Sequence, residues 1–302
     1  MRTAASSLSL TESNSASIAL LALCGGAVAI ALAPIFVRLS YVGPSATAFW
    51  RLTLALPALW LWAMLAGQGR DTFRRPFSAA DYLRLGAAGL FFAGDLAVWH
   101  WSIRFTSVAN ATLLANFAPI FVALGGWLLF AQKVGLTFLG GMSVALAGTM
   151  LMVGTSLRVD VQHLWGDTLG LITAVFYAGY ILSIKRLRSD FSAATIMAWS
   201  GTVTSAALFP VAVLSGEHLL PGSPLGWRPL IGLALISQVG GQGLIAYALA
   251  HLPAAFSSVT LLLQPVMATV FAWLILNEAI GPWQALGGVL VLGGIFVARR
   301  VS

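Results

Sequence analysis

PIFVALGGWLLFAQKVGLTFLGGMSVALAG, residues 119–148, decides the fold, because a related stretch returns later in the chain. Residues 265–294 read PVMATVFAWLILNEAIGPWQALGGVLVLGG and align with the first stretch without a gap. Leucines match by chance in apolar sequence, so the proline, tryptophan and glycine matches in one register carry more weight. These matches are Pro119/Pro265, Trp127/Trp273, Gly135/Gly281, Gly141/Gly287 and Gly148/Gly294. The chain therefore contains an internal repeat.

The composition places the chain in a membrane. Hydrophobic residues make up 59% of the 302 residues and charged residues only 8%, with a mean hydropathy of +0.91, whereas soluble domains carry about 25% charged residues. Apolar stretches of about 20 residues recur, which is the length that spans a hydrocarbon layer of about 30 Å. The sequence predicts an all-α polytopic membrane protein.

Hydropathy and turn residues predict ten transmembrane helices joined by short connections. They lie near residues 18–38, 45–66, 81–103, 107–130, 135–155, 167–185, 192–214, 229–250, 254–276 and 281–298. The polar segment 1–17 has no apolar core before a cleavage motif, so we expect a short, disordered cytoplasmic tail rather than a signal peptide.

The ten helices divide into two repeats of five, residues 18–155 and 167–300. An odd number of crossings makes the second repeat enter the membrane from the opposite side, so the repeats are inverted. Inverted repeats are typical of secondary transporters, which bind substrate near the midplane and expose it alternately to each side. The sequence therefore predicts alternating-access transport.

The basic residues report on topology rather than on a nucleic-acid partner. The net charge is +7, but lysines and arginines lie at helix ends instead of in one patch. Most fall on one side when both termini are placed in the cytoplasm, as the positive-inside rule requires. The single cysteine, Cys24, excludes an intrachain disulfide or a cysteine-based metal site, and we expect no cofactor.

Both copies of the repeat resemble the EamA domain of the drug/metabolite transporter superfamily. The resemblance rests on residues 102–153 (SIRFTSVANATLLANFAPIFVALGGWLLFAQKVGLTFLGGMSVALAGTMLMV) and 248–299 (ALAHLPAAFSSVTLLLQPVMATVFAWLILNEAIGPWQALGGVLVLGGIFVAR), and FWRLTLALP at 49–57 is similar to the family's second helix. It implies a central cavity lined by helices 1–4 and 6–9, with helices 5 and 10 at the periphery. It also implies export of amino acids and other metabolites across a bacterial inner membrane, with the YddG-type aromatic amino-acid exporters as the subgroup that we expect.

Asp95 and Arg51 are the two charges predicted to lie deep in the membrane. At 1.5 Å per residue, Asp95 lies about 12 Å and Arg51 about 9 Å below the same surface, so the two could meet. Asp95 shares a helical face with Trp99 and Ser102, while His100 points elsewhere. Intramembrane ions pair with each other or face a cavity. Two alternatives stay open: a structural ion pair, or contacts to a zwitterionic substrate.

Further cavity candidates are polar or aromatic residues within the predicted helices: Gln238, Gln242, Asn116, Trp101, Tyr82 and Tyr177. Each could instead form interhelical hydrogen bonds or an interfacial aromatic belt. Pro119 and Pro265 break helical hydrogen bonds and could serve as kinks for gating or as static bends. We read Glu278 as a turn or capping residue. The glycines at 141, 148, 287 and 294 predict close-packed helix seams.

The sequence contains no motif typical of another class of membrane protein. The HExxH and GxSxG motifs are absent, FAGD at 92–95 departs from the GxGD pattern of intramembrane proteases, and no filter-like loop indicates a channel. An intramembrane enzyme or a channel is the alternative from another class. Residues 18–37 hold no acid for a cation substrate, and helices 8 and 9 hold no lysine or arginine for a phosphate. We expect a small zwitterionic substrate, with amino acids as the leading class. The sequence leaves the oligomeric state open, with a monomer as one alternative.

Overall fold

The computed structural model describes residues 2–66, 73–106, 108–154 and 164–300, and every regular element in these ranges is helical. The first repeat contains α1 (Arg2–Ala31), α2 (Ala33–Arg38), α3 (Pro44–Thr53), α4 (Leu56–Ala66), α5 (Ala79–Phe105), α6 (Val108–Ala115), α7 (Ala118–Phe130) and α8 (Leu136–Gly154). The second contains α9 (Leu164–Leu187), α10 (Ala193–Leu214), a 3₁₀ turn (Pro224–Gly226), α11 (Trp227–Gly232), a π-helix (Leu233–Gln242), α12 (Gly243–His251), α13 (Ala254–Thr260), α14 (Leu263–Leu276) and α15 (Pro282–Arg299).

The helices define a multi-pass membrane protein. Nine segments of the described chain are long and apolar enough to cross a bilayer, and they coincide with all the predicted helices except the third. The third is α5, whose 27 residues reach about 40 Å at 1.5 Å per residue. It carries four charged residues, Asp81, Arg84, Asp95 and Arg104. The number of ten crossings is therefore approximate.

The N-terminal segment departs from the prediction. We expected residues 1–17 to be disordered, but α1 begins at Arg2, and the apolar crossing follows from Ser15. Once a helix is nucleated, each further residue that is fixed adds one hydrogen bond, so extending the helix is much less unfavourable than starting it. The apolar part of α1 therefore allows a polar segment of Ala, Ser and Thr to continue as helix.

Both repeats break their fourth helix near a proline. In the first, Asn116 and Phe117 separate α6 from α7, and Pro119 follows. In the second, a break after Thr260 separates α13 from α14, which contains Pro265. Proline lacks an N–H and its ring disfavours the preceding helical turn, which accounts for both breaks, and the polar residues Asn116 and Gln264 lie beside them.

The ends of α7 and α14 show that the repeat is structural. Both helices end on a left-handed residue that is not glycine, Ala131 with φ of 51° and Asn277 with φ of 55°. The backbone N–H of Ala131 donates to the Gly126 carbonyl, and that of Asn277 donates to the Ala272 carbonyl. Each pair is related by the register that aligns residues 119–148 with 265–294. The same C-terminal cap is therefore built twice from different residues.

The predicted glycine seam is confirmed, and it joins α8 to α15. A Cβ placed on Gly141 would lie 2.7 Å from the Gly294 carbonyl oxygen, and one on Gly148 would lie 2.6 Å from the Gly287 oxygen. The first glycine of one helix meets the second glycine of the other, so the helices run antiparallel, as inverted repeats require. Small residues let the backbones approach closely where lipid supplies no hydrophobic driving force between helices.

Alanine at the seam is expected to destabilise the protein. Gly141→Ala or Gly294→Ala would force α8 and α15 apart, and overpacking of this kind costs about 1–3 kcal/mol. The adjacent glycines Gly140 and Gly293 have open space around them and provide matched controls. Thermal unfolding of purified protein in detergent should show a lower midpoint for the seam variants only.

Gly140→Ala and Gly293→Ala should leave the midpoint unchanged or raise it, because alanine favours helix over glycine by about 1 kcal/mol. Equal midpoints for seam and control variants would contradict the close packing.

Candidate functional site

A cavity of about 530 Å³ lies between the two repeats. Within the described chain its lining comes from helices α1–α3, α5–α7, α9, α13 and α14 and from the π-helix, and α8 and α15 contribute no lining residue. The fifth and tenth crossings are thus peripheral, as the resemblance implied. Of the helices expected to line the cavity, the seventh crossing, α10, contributes none among the described residues.

The cavity extends towards one side of the membrane. Arg38 and Pro44, which flank the connection 39–43, both line it, as does Trp99 further down. At the opposite end Phe92 lines the cavity, and its ring stacks on that of Tyr180, with centroids 4.5 Å apart. Tyr180 is fully buried. The Phe92–Tyr180 stack therefore forms a floor.

Arg51 presents a positive charge to this cavity. Its side chain is 9% exposed, its Nε donates to Gln238 Oε1 at 2.9 Å, and its guanidinium lies 5.6 Å from the centre of the Phe92 ring. Gln238 thus holds the guanidinium by one nitrogen. Arg51 is also a lining residue, so its guanidinium lies at the wall of the cavity.

Asp95 presents the opposite charge. It lines the same cavity and interacts electrostatically with Arg51. The ion pairs of the described residues do not include an Asp95–Arg51 pair, and no described side chain donates a hydrogen bond to the Asp95 carboxylate. Asp95 and Arg51, which the sequence predicts at similar depths, thus line one cavity. Among the described ion pairs they do not form the structural pair that was one of the two alternatives.

Polar neutral groups complete the lining. Gln242, Gln264 and Tyr177 all face the cavity, and the Tyr177 hydroxyl interacts with both glutamines. Asn116 also lines it, and its Nδ2 donates to the Thr112 carbonyl at 2.9 Å. From the sequence, Gln264 in the ninth predicted helix has the same two readings as Asn116, an interhelical hydrogen bond or a contact to substrate. The structure places it on the cavity lining, beside Pro265.

Three predicted site residues lie away from the cavity. Ser102 is fully buried and its Oγ donates to the Gly166 carbonyl at 2.7 Å, because the start of α9 covers this face of α5. Trp101 is 55% exposed and points outward from the same turn. Tyr82 is 41% exposed and its hydroxyl donates to the Pro76 carbonyl at the far end of α5. The side chain of His100 lies outside the described residues.

Both ends of the protein carry ionic contacts between the repeats. Glu278 pairs with Arg38 of α2, so it joins the repeats and is more than the turn residue we predicted. At the other end Arg74 bonds both oxygens of Asp81, at 2.6 and 2.7 Å, and lies 3.5 Å from Asp190 of the second repeat. Arg74 therefore clamps the repeats together beyond the floor of the cavity.

A largely apolar cavity between two helical repeats that carries two opposite charges and a few polar groups is typical of a membrane transporter. The EamA-like transporter family matches residues 17–154 and 164–300, and the chain belongs to this family. Its substrate is accordingly a small molecule and its surroundings are lipid. The close glycine contacts between α8 and α15 at the periphery and the cavity at the centre agree with this assignment.

Relatives of this chain are named as transporters. An uncharacterised transporter of Archaeoglobus fulgidus is 26% identical over 87% of this chain and 91% of its own length. The pseudopaline exporter CntI of Pseudomonas aeruginosa is 24% identical over 71% of this chain and 74% of its own length. The uncharacterised inner membrane transporter YhbE of Escherichia coli is 26% identical over 83% of this chain and 77% of its own length. A solved crystal structure has a TM-score of 0.79 at 18% identity, covering 96% of this chain and 98% of that chain, which shows a shared fold alone.

Accessibility of the cavity from one side can be measured with single cysteines. In a Cys24→Ala background, Ala115→Cys and Ala268→Cys lie in the cavity lining. A membrane-impermeant maleimide should label them from the side of the 39–43 connection, because the floor closes the other side. Tyr41→Cys, 78% exposed in that connection, identifies the side, and fully buried Ala174→Cys should stay unlabelled. Equal labelling from both sides would contradict a closed floor.

Proposed function

We propose that this protein is a secondary transporter that exports amino acids, or similar small zwitterionic metabolites, by alternating access. The observation that carries the proposal is that Asp95 and Arg51 face one cavity with opposite charges and without a direct ion pair. An amino acid carries an ammonium and a carboxylate, which are complementary to these two groups.

The energetics of a buried charge support a substrate role. A charged side chain within a bilayer is costly unless it pairs or faces water, and Asp95 has no hydrogen-bond donor among the described residues. Charge-assisted hydrogen bonds are about twice as strong as neutral ones. Binding of an ammonium at Asp95 and a carboxylate at Arg51 would therefore satisfy both groups at once.

Direction and location are proposed from the relatives and from the charge distribution. One relative is named as an exporter and another as an inner membrane transporter, so we propose export across a bacterial inner membrane. The excess of lysine and arginine on one side supports cytoplasmic termini. Phe92, Trp99 and Tyr177 bring rings to the cavity, which suits amphipathic substrates. The aromatic subgroup stays a prediction.

The two ends of the protein support alternating access. The cavity reaches the side of the 39–43 connection, whereas the Phe92–Tyr180 stack and the Arg74 clamp close the other. Exchange of these states by rocking one repeat against the other would carry substrate across. The breaks before Pro119 and Pro265 supply places where the fourth and ninth crossings could bend.

The substrate proposal is tested with purified protein in liposomes and a panel of labelled amino acids, sugars and organic cations. Amino-acid flux should dominate, and Asp95→Asn and Arg51→Gln should each lower it about tenfold or more, since hydrogen bonds to charged groups contribute about 1.5–3 kcal/mol. The matched controls are Asp167→Asn and Arg228→Gln, which alter charges outside the cavity lining.

Strong flux of another chemical class without amino-acid flux would refute the substrate. Normal transport in Asp95→Asn, Arg51→Gln and their double variant would remove both residues from the mechanism.

The clamp offers a test of alternating access. Arg74→Gln removes the contacts to Asp81 and Asp190, so states open on the Arg74 side should become more populated. Labelling of Ala115→Cys from that side should rise several-fold, whereas the exposed control Arg84→Gln should leave it unchanged. No change with Arg74→Gln would show that the clamp does not hold the closed end.

A further inference from the structure

We propose that Gln238 sets the charge selectivity of the cavity: it holds the Arg51 guanidinium with a neutral amide, so the positive charge of Arg51 is left for the carboxylate of a substrate. The inference rests on the proposed function, because that carboxylate belongs to the transported zwitterion. Gln238 contributes nothing to the described lining of the cavity. It therefore acts through Arg51, as a positioning residue, and makes the site prefer an amino acid to the corresponding amine.

The contact between Gln238 and Arg51 is buried and joins the two repeats. Gln238 is 1% exposed, and its Oε1 accepts a hydrogen bond from Arg51 Nε at 2.9 Å. The guanidinium is planar and presents its donors in a fixed geometry, and its carbon lies 5.6 Å from the centre of the Phe92 ring. The amide on one side and the ring on the other therefore fix where the positive charge lies at the cavity wall.

The amide bonds Arg51 without neutralising it. The ion pairs of the described residues include none with Arg51, and Asp95 is the only acidic side chain of the described chain that acts on it electrostatically. A carboxylate in place of the amide would form a charge-assisted hydrogen bond with the guanidinium and satisfy it within the protein. A buried arginine held by a neutral partner instead attracts an anion from the cavity that it lines.

The π-helix fixes Gln238 against the first repeat. Its Ser237 Oγ donates to the Ala29 carbonyl of α1 at 3.0 Å, and a Cβ placed on Gly241 would lie only 2.7 Å from Cγ1 of Ile30. One face of the π-helix is thus bound to α1, while Gln238 reaches Arg51 of α3. A partner that is itself held in place can orient a functional group without touching the substrate, and π-helical turns are frequent at functional sites.

The charges of the lining make the neutrality of Gln238 decisive. The charged residues of the described lining are Arg38, Arg51 and Asp95, and Arg38 pairs with Glu278. Arg51 and Asp95 therefore offer one positive and one negative charge, which a zwitterion matches. A carboxylate at position 238 would neutralise Arg51 and leave Asp95 alone, so the cavity would then favour a cation.

Binding of matched ligands to purified protein in detergent tests this inference. Three amino acids are compared with the amines that lack only the carboxylate: alanine with ethylamine, leucine with isopentylamine, and phenylalanine with 2-phenylethylamine. Calorimetry gives the dissociation constants, and the pair whose amino acid binds most tightly is carried into the variants. Wild-type protein should bind that amino acid about tenfold or more tightly than its amine, because the amine makes no hydrogen bond to Arg51.

The variant Gln238→Glu should reverse this preference. The new carboxylate pairs with Arg51, so the amino acid should bind about tenfold more weakly, while the amine should bind more tightly than it does to wild-type protein. Gln132→Glu adds a carboxylate in the hairpin outside the cavity lining and should keep the wild-type ratio.

The variant Gln238→Met separates positioning from a structural role. Methionine has a similar length but cannot accept the hydrogen bond from Arg51, so the amino acid should bind about fivefold more weakly while the affinity for the amine stays within about twofold of wild type. A general loss of structure would weaken both ligands alike. Ser237→Ala removes a buried hydrogen bond of the same π-helix and is the matched control, which should keep the wild-type ratio of the two affinities.

The outcomes distinguish this inference from the proposed function. A wild-type ratio near one, a ratio that both Gln238 variants preserve, or equal weakening of both ligands in Gln238→Met overturns the role of Gln238 and leaves the exporter intact. If Gln238→Glu does not fold, the comparison of Gln238→Met with Ser237→Ala decides alone. Absence of binding for all three amino acids in wild-type protein overturns the proposed function and this inference with it.

Discussion

The cost of a charge inside a bilayer is the constraint on which this structure depends. Asp95 and Arg51 lie at membrane depth, and hydrocarbon cannot solvate either of them. A helical bundle that packed tightly throughout would have to pair them directly. This protein surrounds them with a cavity of about 530 Å³, so both charges keep access to water or substrate. The cavity is thus part of what makes the sequence compatible with a membrane.

The scaffold separates close packing from open space. The glycines of α8 and α15 bring two backbones into contact at the periphery. Neither helix contributes a described residue to the lining of the cavity. The central helices do the opposite: the fourth and ninth crossings break near Pro119 and Pro265, and their polar groups turn inward. Lipid does not drive helices together by the hydrophobic effect. Small residues therefore determine where the helices pack closely, and the helix breaks lie where the cavity is.

The two repeats share their scaffold and differ in their polar residues. The left-handed caps at Ala131 and Asn277, the prolines and the seam glycines recur in one register. Gln264, by contrast, aligns with Ala118, and Glu278 aligns with Gln132. Repetition therefore preserves the residues that set backbone geometry, while the polar residues differ between the two repeats.

The sequence by itself determined the helical membrane class, the repeat, the glycine seam and the shared depth of Asp95 and Arg51, because these follow from hydropathy, spacing and a fixed rise per residue. Only the tertiary structure decided which residues meet at that depth. Ser102 shares a face with Asp95, yet the start of α9 covers it, while Gln264 reaches the cavity because its helix breaks. A helical periodicity gives the direction of a side chain; the neighbouring helix decides whether that direction ends in protein, lipid or open space.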